Sequence, residues 1–221
     1  MSKATRFLKT MSTLALLPAF LGAGTLPAAS AQEQITAEKF VTQLDSQSQA
    51  QWGTLNAQQR QEVIKTVNDP RFRPGLSQKE AQTISADIKV SPVKTGAKTG
   101  AGQTPQFGAI FFPKITYVGS AFYEVDTSLY GIKLGSNRLD YSFYLRSGKV
   151  TSNKSCVATY KQVVPNRSVS VKASNSVKDG LGTCKADWTI STTKGQAQKE
   201  VWEQGLTVKD SKIQKTWITK K

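Results

Sequence analysis

The chain contains no histidine. That absence removes the side chain most used as a general base near neutral pH and the commonest metal ligand. Carboxylate pairs, a serine–lysine dyad and carboxylate-bound calcium remain as possible chemistry. Neither a phosphate-cradling glycine loop nor an EF-hand pattern occurs. Acidic residues are scarce, fifteen against thirty lysines and arginines, and none falls in the first thirty-one positions. Long apolar runs are missing: the best, "MSTLALLPAFLGAGTL" from 11 to 26, is short for a bilayer and is interrupted by Pro18 and by glycine. Cysteine occurs only at Cys156 and Cys184.

The residues that are present begin with an export pattern. Lys3, Arg6 and Lys9 precede the apolar stretch, and Ala29-Ser30-Ala31 ends it as a small-x-small site. The pattern predicts a signal peptide over 1–31, cleavage between Ala31 and Gln32, and a secreted, extracellular product. The remainder carries a formal charge of +12 out of the total +15, an excess that attracts anionic partners. In an exported chain the two cysteines read as a disulfide rather than a metal or redox site. Closing that loop contributes about 3 kcal/mol through the unfolded state.

The fold class expected is α+β, a small helical region over 32–90 followed by an antiparallel β-sandwich over 107–221. Phe40, Val41 and Leu44 recur at one-face spacing, Asn56 with Gln59 forms a capping box, and Val63, Ile64 and Val67 continue an apolar stripe. "NDPRFRPG" then ends the helix through Pro70, Pro74 and Gly75, and Ser77 with Glu80 caps another short one. "TISADIKV" fits strand and helix equally. Beyond 107 the period becomes two: "LDYSFYL" puts Leu139, Tyr141, Phe143 and Leu145 on one face, and "RSVSVKAS" and "KADWTIST" repeat the alternation. The turn clusters "LGSN", "RSGK", "VPNR", "VKDGLG" and "TTKGQ" separate the runs without helical patterns between them, which favours antiparallel sheets. The architecture is immunoglobulin-like only in general outline. In that family the buried tryptophan falls between the cysteines, whereas Trp188 follows the second.

Between these parts, "SPVKTGAKTGAGQTPQ" over 91–106 reads as a flexible Gly/Pro/Lys linker. It contains S-x-x-K at Ser91 to Lys94 and two copies of K-T-G, fragments known from penicillin-recognising enzymes. Those enzymes need the serine at a helix start and K-T-G on a distant strand. Here Lys94 would have to serve both motifs, and Pro92 follows the serine, so the catalytic reading fails on context. Charge divides at the same place. Residues 36–88 hold six basic and six acidic side chains, whereas 107–221 hold eighteen against eight.

No constellation argues for an enzyme, a metal site or a cofactor. Glu124 and Asp126 share a strand face and read as carboxylates offsetting a basic surface rather than an acid pair or cation site. Glu200 and Glu203 read as part of an exposed strand. The best candidate for a binding surface is "KIQKTWITKK", with Ile213, Lys215, Trp217 and Thr219 on one face and Lys212, Gln214, Thr216 and Ile218 on the other. Its anion-binding set is Lys212, Lys215, Trp217, Lys220 and Lys221. Export and the lack of a recognition helix disfavour nucleic acid. The expected partner is an anionic cell-envelope polymer or membrane surface, at about 1 kcal/mol per basic residue near it. The function expected is a secreted, non-enzymatic cationic protein, bacteriocin-like if a processing protease cuts the linker and frees the basic part. The alternatives are an adhesive β-sandwich binding carbohydrate or protein, and a hydrolase or inhibitor with an unusual site.

Overall fold

A computed structural model describes residues 34–73, 75–99, 116–163, 167–192 and 199–221. The expected signal peptide and its cleavage point therefore lie outside the described residues, as do Pro74 and most of the "VPNR" and "TTKGQ" turns. Four short helices come first: α1 (Ala37–Val41), α2 (Ser46–Thr54), α3 (Ala57–Asn68) and α4 (Gln78–Gln82). Both expected capping boxes form. Asn56 and Gln59 exchange side-chain-to-backbone bonds at the start of α3, and Ser77 and Glu80 do so at α4. Each box satisfies two helix-end donors that would otherwise be left unpaired. No described helix is long and apolar enough to cross a membrane.

Eight strands follow: β1 (Ile88–Thr99), β2 (Tyr117–Leu129), β3 (Ile132–Arg146), β4 (Lys149–Gln162), β5 (Arg167–Lys178), β6 (Leu181–Thr192), β7 (Lys199–Lys209) and β8 (Lys212–Lys220). They make two antiparallel four-stranded sheets, ordered β1-β2-β3-β4 and β5-β6-β7-β8. The chain is thus mostly β with some helix. Every neighbour in a sheet is also a neighbour in sequence, so the Greek-key exchange of strands that marks immunoglobulin domains is absent. Four hairpins turn through two residues with positive φ at both, Tyr130-Gly131, Ser147-Gly148, Asp179-Gly180 and Asp210-Ser211. This is the turn whose twist matches antiparallel strands.

The expected linker and the expected "LGSN" turn need correction. The linker over 91–106 is, as far as Thr99, part of β1: Ser91 pairs with Asp126, Pro92 with Val125 and Thr99 with Gly119. β1 is an edge strand, where proline's missing N–H costs no ladder bond. Backbone pairing to β2 holds the segment, and the exposed Val93 shows how little burial contributes. Its serine therefore sits in a strand, not at the helix start that S-x-x-K chemistry requires. Residues 100–106 are outside the described set. The second correction is "LGSN", which is not a turn but lies inside β3. A Cβ at Gly135 would stand 3.2 Å from the Lys161 carbonyl oxygen, so the glycine permits a close strand approach.

The inner residues of both sheets share one cluster. Leu139, Tyr141, Phe143 and Leu145 are buried there, as their spacing predicts, with Tyr123 and Val125 from β2 and Ala186, Trp188, Trp202, Leu206 and Val208 from β6 and β7. β7 is consequently buried on one face rather than an exposed strand, because it lies between β6 and β8. The Cys156–Cys184 disulfide, with Cα atoms 5.6 Å apart, ties β4 of one sheet to β6 of the other.

A second cluster joins the helices to one end of the strands. Phe40, Leu44, Leu55, Val63, Val67, Phe72 and Leu76 pack with Ile88, Leu129, Ile132 and Leu134. Polar contacts reinforce the junction. The Tyr130 hydroxyl lies 2.5 Å from Glu62 and 2.8 Å from Asp87, and Arg167 donates to the carbonyls of Asp69 and Pro70 at 2.7 and 2.9 Å. Arg73 pairs with Glu200 and lies 5.1 Å from the centroid of a Trp202 ring. Cutting the chain within 100–106 therefore leaves β1 paired to β2 and the second cluster intact. Freeing the basic part would expose Leu129, Ile132 and Leu134 and remove an edge strand.

Candidate anion-binding surface

β8 does not keep the simple alternation read from "KIQKTWITKK". Thr207 pairs with Lys215 but Val208 pairs with Ile213, so Gln214 is an extra residue in the ladder. Such a bulge moves the preceding residue to the other face. Ile213 accordingly packs against the inner core, whereas Lys215 and Trp217 remain on the outer face of the sheet.

Trp217 is half-buried and has a structural task. Its ring covers Gly205 of β7 so closely that a Cβ there would come within 2.1 Å of the indole, an aromatic cover over a strand glycine. Its Nε1 donates to Glu203 at 2.9 Å, and the Lys215 ammonium lies 5.8 Å from the ring centroid. At the C-terminal end the lysines are neutralised. Lys220 pairs with Glu200 at 2.9 Å, and Lys221 pairs with Asp187 at 2.5 Å and Glu203 at 3.1 Å. The five expected site residues are therefore strung along β8 and the residue after it rather than brought together, and three of them, Trp217, Lys220 and Lys221, are engaged within the fold.

The carboxylates on the sheets are engaged in the same way. Lys133 lies 3.0 Å from Glu124 and 2.7 Å from Asp126, and Arg138 makes a two-pronged contact with Asp140 and reaches Glu124 at 3.4 Å. Burial, with Glu124 beside it, raises the Asp126 carboxyl above its ordinary range. Burial opposes ionisation of Glu124 too, but the bond to Lys133 and its charge, together with bonds to Asp126 and Ser136, hold it below the ordinary value. No group of three or more His, Cys, Asp or Glu side chains suited to a metal ion occurs among the described residues.

Glu203 carries a pH prediction. The hydrogen bond from Trp217, followed by those from Lys221 and Lys185, lowers its carboxyl below the ordinary 4.5, and Glu200 is lowered as well. A folded-state value below the unfolded one stabilises at pH above the unfolded value, and the contribution disappears as pH falls through the folded value. The thermal midpoint should thus be nearly level from pH 7 to 5 and fall below about pH 4.5. Trp217→Phe, which keeps the ring over Gly205 but removes the donor, should flatten part of that fall. An identical acid profile in the variant would remove Glu203 from the account.

A group of cations without ion pairs among the described residues stands at the end of the strands opposite the helices. Three hairpin tips meet there. The Val150 amide donates to the Gly180 carbonyl at 3.2 Å, the Lys149 side chain lies against Gly180, and an Asp210 oxygen lies 3.4 Å from where a Gly148 Cβ would be. Around the tips stand Arg146, Lys149, Lys178, Lys209 and Lys212, all exposed, and none makes an ion pair among the described residues. Arg146 faces Lys149 directly across one ladder, and Lys209 faces Lys212 across another. Like charges so placed work against the hairpin. Asp179 and Asp210 are the only acids at these turns, and both occupy the left-handed backbone region that aspartate tolerates, so turn geometry accounts for them. Nothing in the turns requires the five cations.

Of the expected set, only Lys212 belongs to this end. The sequence marks "RSGK" and "VKDGLG" as turns and shows a basic residue beside each, but no pattern says that their tips touch. The chain matches no protein-family model, and comparison with curated proteins and with solved structures yields no match.

Proposed function

We propose that the chain is an exported, non-enzymatic β-sandwich protein that binds anionic material of the cell envelope through the hairpin-tip end. One observation supports this most: five cations are gathered where three tips meet, two pairs of them in direct opposition, while the acids on the sheet faces are engaged within the fold. A local arrangement that costs stability is accounted for by an external anion that neutralises it. The number of charges sets the strength. At about 1 kcal/mol for each basic residue near an anionic surface, five cations less two acids bring attraction in the low millimolar range. Charge thus concentrates the protein on its target, and further contacts must tighten the complex. The reading does not depend on release of a fragment, since the helices and strands share a core.

The experiment is retention of the full exported chain on isolated envelope material across a salt series, with Lys149→Gln/Lys209→Gln/Lys212→Gln beside it. Retention should fall steeply with salt, and the triple variant should be lost at lower salt than the parent. Equal retention of both proteins at every salt concentration would reject the tip end as the binding surface. Binding that persists at high salt would favour the adhesive alternative instead.

A further inference from the structure

The tip end carries apolar as well as basic groups. Tyr117 and Val118, 39% and 36% exposed, open β2 at this end of the sheet. Tyr117 stands opposite Leu145 and Val118 opposite Tyr144, the two residues that precede Arg146, and Leu145 in turn pairs with Val150 beside Lys149. An amphipathic phenol and an exposed aliphatic side chain thus sit among long cationic side chains at the rim. At the other end of the strands the helices cover Leu129, Ile132 and Leu134, and Arg73 is paired with Glu200.

We infer that this end docks onto an anionic phospholipid surface, with the strands end-on and Tyr117 and Val118 entering the headgroup layer inside a ring formed by Arg146, Lys149, Lys178, Lys209 and Lys212. This rests on the proposed function and names the class of anion. A hydrated polymer offers phosphate or carboxylate to the cations but nothing for an exposed tyrosine and valine to enter. A bilayer offers both: lipid phosphates at the depth of snorkelling lysines and an interface that suits tyrosine.

The test uses the full exported chain with phosphatidylcholine vesicles, with and without phosphatidylglycerol, and long-chain polyphosphate as the soluble anion. Co-sedimentation should require phosphatidylglycerol. Each lysine replaced by glutamine should weaken it roughly fivefold, so Lys149→Gln/Lys209→Gln/Lys212→Gln should weaken it about a hundredfold. Tyr117→Ser/Val118→Ser should weaken vesicle binding several-fold and leave polyphosphate binding unchanged. A dye on Ser147→Cys, at a tip, should shift to the blue with anionic vesicles, and one on the exposed Gln58→Cys of α3 should not. This reports orientation without removing any docking residue. Polyphosphate binding without vesicle binding, a Tyr117/Val118 variant that sediments like the parent, or a dye shift at position 58 instead of 147 would overturn the lipid reading and leave the proposed function standing. A triple lysine variant that keeps full affinity for vesicles, polyphosphate and envelope material alike would overturn both.

Discussion

Replacing Gln204 by leucine should destabilise the protein by about 2–4 kcal/mol, the sum expected for buried polar groups losing their partner. Gln204 is 0% exposed in the middle of the β core. Its Oε1 accepts from Trp188 Nε1 at 3.1 Å, and its Nε2 donates to the carbonyls of Tyr123 at 3.3 Å and Asn137 at 3.2 Å. One side chain thereby joins β6 and β7 of one sheet to β2 and β3 of the other. Leucine has nearly the same volume, so packing is largely preserved and the loss isolates the polar contribution. It leaves an indole N–H with no acceptor and takes a donor from two carbonyls. Gln204→Glu should be worse than leucine at pH 7, since an ionised carboxylate is buried without a cation. Relative to the parent it should recover part of its stability as pH falls and the acid becomes neutral. Denaturant unfolding of the three proteins at two pH values is the measurement. A leucine variant within half a kcal/mol of the parent would show that the two sheets do not rely on this contact.

Opening the Cys156–Cys184 bond should cost about 3–4 kcal/mol, which in a chain of this size lowers the thermal midpoint by roughly 10 °C. The bond closes a 28-residue separation that spans all of β5. Without it the unfolded chain regains the freedom of that loop. In the folded state the bond complements the packing of β4 against β6 by linking two sheets that share no ladder. Reduced parent and Cys156→Ala/Cys184→Ala should agree to within the small cavity term that the buried Cys184 adds to the variant. A midpoint that stays put on reduction, with free thiols confirmed by titration, would mean that packing alone already restricts the loop.

Local features were the legible part of this chain. The two capping boxes form where their residues stand because a cap needs only a hydrogen-bonding side chain three positions from its partner. Leu139, Tyr141, Phe143 and Leu145 turn inward together because a strand alternates whatever its neighbours do. The misread segments depend on something outside themselves. Residues 91–99 look like a linker by composition, yet a waiting edge of β2 makes them a strand. Gly135 looks like a turn, yet it marks a close approach by the Lys161 backbone. In β8 a single extra residue, Gln214, separates Ile213 from the face that the period of two had assigned it.

The candidate site shows the same division. Charge sign, the absence of histidine, the cysteine pair and the kinds of residue beside each turn are properties of the chain written in a line. They exclude imidazole chemistry and make cations the expected means of recognition. Which cations remain available was a matter of folding. Lys220 and Lys221 look free at the end of the sequence and are occupied by Glu200, Asp187 and Glu203. Arg146, Lys178 and Lys209, up to sixty-three positions apart, gather at one end because three hairpins of a meander point the same way. Electrostatic attraction acts through space and falls with distance, so a charge's partner is decided by where strands are laid side by side and not by its neighbours along the chain.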